Sequence, residues 1–141
     1  MSRENIEVAE RLAPAFNRRD VNAFLDLLAP DVEWVPLLGV LEGRAYRGHE
    51  EIRQWLETLA TDWEFFEVYY DELQDLGDQV LALGGWRGRG RASGVELGDQ
   101  PATWLLDLED GRIVRLQTFT HREEAMAAAG LPGSGETPQR S

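Results

Sequence analysis

Apolar residues in the first part of the chain recur at helical spacing, and those in the second part alternate. From Asn5 to Asn17, Ile6, Ala9, Leu12, Ala13 and Phe16 fall on one face of a helix. Pro14 conflicts with that pattern, because past the first turn it removes a backbone hydrogen bond and is expected to kink or split the helix. Asp20 suits the N-cap of a second helix, in which Val21, Phe24, Leu25 and Leu28 form the stripe. Pro30-Asp31 is expected to stop it, and Asp31–Trp34 then alternates as a strand with Val32 and Trp34 on one face.

The stretch from Val35 to Gly48 reads as turns and a short strand. A third helix follows from His49, with Ile52, Trp55, Leu56 and Leu59 as its buried stripe and Glu50 and Glu51 in its first turn. Beyond Trp63 the period becomes that of strands: residues 65–73, 78–91, 100–108 and 112–120 are four candidates. Gly77-Asp78 and Asp110-Gly111 are turn pairs between them. A last short helix is expected over residues 121–129, with Thr120 and Glu123 spaced as a capping box and Gly130 as its stop. Helices first and mostly antiparallel strands after them predict an α+β fold, a bent sheet wrapped around three N-terminal helices as a cone, with a short C-terminal helix. One domain over residues 1–131 is expected, and residues 132–141 read as a flexible tail whose removal leaves the melting temperature unchanged.

The chain has 141 residues and no cysteine, which excludes disulfides and thiolate metal sites and fits a reducing cytoplasm. Its formal charge is −12, from 26 acidic against 14 basic residues, so neither nucleic acid nor an anionic membrane is an expected partner. The charged N-terminus lacks the apolar core of a signal peptide, and no apolar run is long enough to span a bilayer. No phosphate loop, nucleotide fingerprint or metal-ligand spacing is present, so no cofactor and no metal are expected.

Three stretches carry a family likeness: residues 15–34 (AFNRRDVNAFLDLLAPDVEW), 41–56 (LEGRAYRGHEEIRQWL) and 110–119 (DGRIVRLQTF). Together they resemble the nuclear transport factor 2-like superfamily, and within it the bacterial SnoaL-like domains, over about residues 4–131. The resemblance implies the cone fold, an apolar cavity between sheet and helices, and a homodimer through the convex sheet face. For that dimer the sequence offers Leu81, Leu83 and Leu105 on the face expected to point outward. The superfamily includes isomerases, cyclases, epoxide hydrolases and members without activity, so the fold leaves the reaction open. Known chemistries map poorly here. The ketosteroid isomerase positions fall on Leu12, Val35 and Thr103, and the cyclase aspartate position falls on Thr118. Arg87, Arg89 and Asp107 imitate part of the epoxide hydrolase set, but its second aspartate has no counterpart.

Weighed on their own chemistry, few residues stand out. His49 opens the third helix, where a neutral imidazole at a pocket rim is a candidate base, although a residue that frames the helix turn is the favoured reading. His121 reads as a solvated helix-end residue. Arg87, Arg89 and Arg91 alternate with Trp86, Gly88 and Gly90. The expected arrangement puts the arginines outside and leaves room for a ligand beside Trp86; a bulge at Gly84-Gly85 reverses the faces. Phe16, Trp34, Tyr46, Trp55, Phe66, Trp86, Trp104 and Phe119 form an apolar set, with Tyr46 and Gln117 as polar groups of the pocket. Two readings follow: a pocket for a small hydrophobic or aromatic molecule with acid–base chemistry, or a non-catalytic binding or dimerisation domain.

Overall fold

A computed structural model of the protein describes residues 2–36 and 43–131. The expected tail at 132–141, and the middle of the expected turn region, lie outside the described residues. Helices α1 (Ser2–Asn17) and α2 (Val21–Asp26) lead into strands β1 (Leu28–Val35) and β2 (Tyr46–Arg47). Helix α3 (Gly48–Asp62) follows, and then β3 (Trp63–Asp75), β4 (Gln79–Gly90), β5 (Glu96–Glu109), β6 (Arg112–Phe119) and α4 (Arg122–Ala128). The strands make one open six-stranded sheet in the order β2-β1-β6-β5-β4-β3. The β1–β6 pair is parallel and the other neighbours are antiparallel. This is the α+β cone that the hydrophobic patterning predicts.

Several boundaries differ from expectation for physical reasons. Helix α1 runs unbroken through Pro14, which is exposed, so the carbonyl that loses its partner is left to water. Leu28 does not end α2 but begins β1, and Pro30 lies inside that strand. The proline is tolerated because the β1–β6 pairing is irregular between Leu28 and Glu33, where no ladder donor is required of it. Asp20 caps α2 as expected, its carboxylate accepting from the Ala23 N–H at 3.2 Å. The Asp110-Gly111 turn has positive φ at both residues (53° and 77°), the conformation this pair favours in a hairpin.

The C-terminal helix brings two corrections. Its N-cap is His121 without a side-chain hydrogen bond, so Thr120 and Glu123 do not form a capping box: the helix begins one residue too late for that spacing. The other end behaves as read, for Gly130 takes φ +77° and Leu131 N–H donates to the Met126 carbonyl at 2.8 Å. Furthermore, α4 covers the outer face of the sheet. Leu81 and Leu105 are fully buried there with Ala125, and Leu83, Phe119 and Met126 pack around them. The leucines offered as a dimerisation face are therefore an intramolecular core, and the homodimer loses its support in the sequence.

Candidate functional site

The segment between α1 and α2 anchors the helices to the edge strand β3. Asn17 Nδ2–H donates to the Val68 carbonyl at 2.8 Å, and Val68 N–H donates to Asn17 Oδ1 at 3.0 Å. Arg19 sits in the left-handed region (φ 59°) and donates from Nη1 to the Phe16 carbonyl and from Nη2 to the Phe66 carbonyl, at 2.8 and 2.9 Å. Its guanidinium also covers the Phe16 ring at 4.6 Å, and burial holds its pKa below the ordinary value. Phe16 and Phe24, on either side of this junction, are thereby turned inward.

They meet the inner face of the sheet around a cavity of about 50 Å³. Cross-strand register explains which side chains arrive there. Trp34 on β1 pairs with Leu116 on β6, Thr118 on β6 with Trp104 on β5, and Val68 on β3 with Trp86 on β4, and all six line the cavity. The helices contribute Leu12, Phe16, Phe24, Trp55 and Leu59. Aromatic packing is dense: Phe16 stacks on Trp55 at 5.7 Å, Phe24 meets the edge of Trp34 at 5.3 Å, and Phe66 stacks on Trp86 at 5.1 Å.

Polar groups in this wall are few and uncharged. Thr118 Oγ1–H donates to the Val35 carbonyl at 2.9 Å. Tyr70, which lines both the cavity and a groove between α1 and β3, has its phenol pushed well above the ordinary tyrosine pKa by burial. The indole N–H groups of Trp34 and Trp55 are buried with no hydrogen-bond partner among the described residues.

Of the residues expected to form the pocket, Phe16, Trp34, Trp55, Trp86 and Trp104 line the cavity. Tyr46 does not; it is buried behind Trp55, with ring centroids 6.3 Å apart, and Arg44 covers its other side. Gln117 and Phe119 alternate with Leu116 and Thr118 and so stand on the opposite face of β6, where they line a surface groove with Arg44 and Glu124. His49 is outside the wall as well: its Nε2 lies 3.0 Å from the Leu28 carbonyl, tying the start of α3 to β1, and the ring is half-buried. His121 is exposed.

Arg87 pairs with Glu67 and Asp99 at 3.4 and 3.1 Å, and Arg89 pairs with Glu64 and Glu96. Both thus lie outside, as expected. Arg91 donates to the Ala60, Thr61 and Trp63 carbonyls at the end of α3. The cavity does reach Trp86, whereas Gly88 itself leaves no free space, since a Cβ there would stand 3.0 Å from the Trp63 ring.

Among the wall residues that the sequence did not point to are Val68 and Tyr70 on β3. The signal was the alternation Phe66-Val68-Tyr70, obscured by the aromatic pairs Phe65-Phe66 and Tyr69-Tyr70, which put a ring on each face of β3. Leu12 and Thr118, at the isomerase tyrosine and cyclase aspartate positions, reach the wall, whereas Thr103 is buried on the outer face opposite Phe119. Among the described residues no cluster of three or more His, Asp or Glu is placed to hold a metal ion, and no helix is long and apolar enough to cross a membrane.

A family model described as the SnoaL-like domain matches residues 9–116. No curated protein matches the sequence. Many solved structures share the fold, among them the following three. An NTF2-like protein of unknown function from Burkholderia pseudomallei is 24% identical with a TM-score of 0.74, over 88% of this chain and 95% of that one. TerC, co-crystallised with polyporic acid, is 22% identical with a TM-score of 0.73, over 90% and 98%. A putative SnoaL-like polyketide cyclase from Shewanella putrefaciens is 17% identical with a TM-score of 0.69, over 84% and 90%.

Proposed function

This chain belongs to the SnoaL-like domain family, and on that premise we propose that its cavity binds a small hydrophobic or aromatic molecule without acid–base turnover. The observation that carries the reading is the wall itself. Among the described residues it has no carboxylate, imidazole or amine, and its one titratable group, Tyr70, is a phenol that burial keeps protonated. A general base must reach the proton it removes, and none is in place. His49 is held against a main-chain carbonyl and acts in this reading as a structural tie. That a protein of this fold was co-crystallised with polyporic acid supports small-molecule binding as a use of the architecture. An apolar cavity of about 150 Å³ takes up benzene with nothing polar to hold it; this one, at about 50 Å³, admits a ring as its aromatic wall gives way.

Two measurements test this. Titration with toluene, followed by NMR, should move the resonances of cavity residues saturably, and Ala13→Leu, which fills the wall, should weaken the effect. Shifts spread over the surface without saturation would refute binding. Incubation with acetophenone in D₂O should leave its methyl protons exchanging at the buffer rate. Exchange above that rate would overturn the non-catalytic part and restore the acid–base reading.

A further inference from the structure

Trp34 and Trp55 are 4% and 6% exposed, and both line the cavity. Each carries an indole N–H that is buried without an acceptor among the described residues. Buried donors are nearly always paired, because leaving one unpaired costs most of its desolvation energy. Two such donors in one wall, on rings whose centroids are 5.7 Å apart, form a polar feature that packing alone does not explain. A purely apolar occupant would leave both donors unsatisfied in a dry site.

Resting on the reading that this cavity is the ligand site, we infer that its ligand is a neutral hydrogen-bond acceptor on an apolar body, a ketone, quinone, ester or ether oxygen, received by Trp34 and Trp55. Charge narrows the class. No cationic side chain is in the described wall, and the guanidinium that covers the Phe16 ring, that of Arg19, is engaged by the Phe16 and Phe66 carbonyls. A carboxylate or phosphate would be desolvated there with no counter-charge, inside a chain of net charge −12. Neighbouring groups fit the same ligand class. Thr118 already gives its proton to Val35, and Tyr70 brings an uncharged phenol to the same wall. A molecule that takes the place of water at these donors keeps its advantage when it brings an oxygen of its own.

The test uses two probes of nearly equal shape, acetophenone and ethylbenzene, which differ by a carbonyl in place of a methylene. Binding is followed on the full-length protein in ¹H–¹⁵N spectra of the indole region. Trp34→Phe and Trp55→Phe assign the two signals by their disappearance; where a variant fails to fold, nuclear Overhauser contacts in the wild type assign them instead. Acetophenone is expected to bind about three- to tenfold more tightly than ethylbenzene, the worth of one ordinary hydrogen bond. It should also move the Trp34 or Trp55 indole proton downfield, which ethylbenzene should not do. Equal affinities, or acetophenone binding with neither indole shifted, would overturn the inference while leaving the cavity as a binding site. Failure of both probes to perturb any cavity resonance would overturn the binding reading and this inference with it.

Discussion

Asn17 satisfies both main-chain groups of Val68 with one side-chain amide, on the edge strand where no neighbouring strand supplies partners. Asn17→Ala should therefore lower stability by ~1–2 kcal/mol in urea denaturation, one or two partly exposed hydrogen bonds. An unchanged midpoint would show that water replaces the amide without loss. Asn17→Asp keeps the acceptor but not the donor, and should fall between the two. Trp34 is a harsher case, with Phe24 at 5.3 Å and Trp55 at 5.7 Å. Trp34→Ala should cost ~3–5 kcal/mol by removing a large buried aromatic, and a near-neutral effect would mean the wall closes over the gap. The sequence announces these two residues unequally. Tryptophan on an alternating strand reads as core at once, whereas an asparagine between helices gives no sign that it reaches a strand 51 residues away.

Elements form where the pattern is periodic and go astray where a strand loses its phase. The stripe of α3, the hinge and cap of α2 and the outward arginines of β4 were all legible, because each repeats regularly along a single element. On β6 the register shifts where β5 passes from Asp107 to Leu108, so Arg115 and Ile113 are consecutive partners. Ile113 and Leu116 both enter the core, and extrapolating from Ile113 in steps of two then selects Gln117 and Phe119 instead of Leu116 and Thr118. The outer leucines were misread for another reason. A seven-residue helix whose only large apolar side chain is Met126 does not advertise that it can cover a sheet face, yet Ala125 does so with no exposure of its own. Ala125→Glu should thus undock α4, bare Leu81 and Leu105, and raise the binding of a hydrophobic dye. A variant with native dye binding and native melting temperature would show that the helix contributes no cover. Between β3 and β4, a Cβ at Gly84 would overlap the Tyr69 main chain. Gly84→Ala should part those strands and destabilise by ~2 kcal/mol or more, in the range of overpacked sites, as thermal unfolding would report.

For the whole molecule, an uncharged interior inside a strongly acidic surface makes stability respond to alkali through one phenol. Tyr70 packs its ring 5.2 Å from that of Trp104 and lies between the cavity and a groove that also holds Glu10, Asp71 and Glu72. Burial is the cause of its raised pKa, and none of these neighbours is a cation that would favour the phenolate. Because the folded-state value lies above the unfolded value of 10.0, this contribution to stability is complete below pH 10. Above that point the unfolded chain releases a proton that the folded protein retains, and stability falls as pH rises toward the folded pKa. The slope approaches ~1.4 kcal/mol per pH unit for one proton. Urea unfolding between pH 9 and 11.5 should show a loss in the wild type that is shallower in Tyr70→Phe, so the two curves converge as pH rises. Parallel curves would mean that the Tyr70 hydroxyl is solvated in the folded protein. A cavity ligand that binds only the folded, neutral phenol raises the folded pKa further and should carry the alkaline loss on to higher pH, which joins the pH dependence of stability to the occupancy of the site.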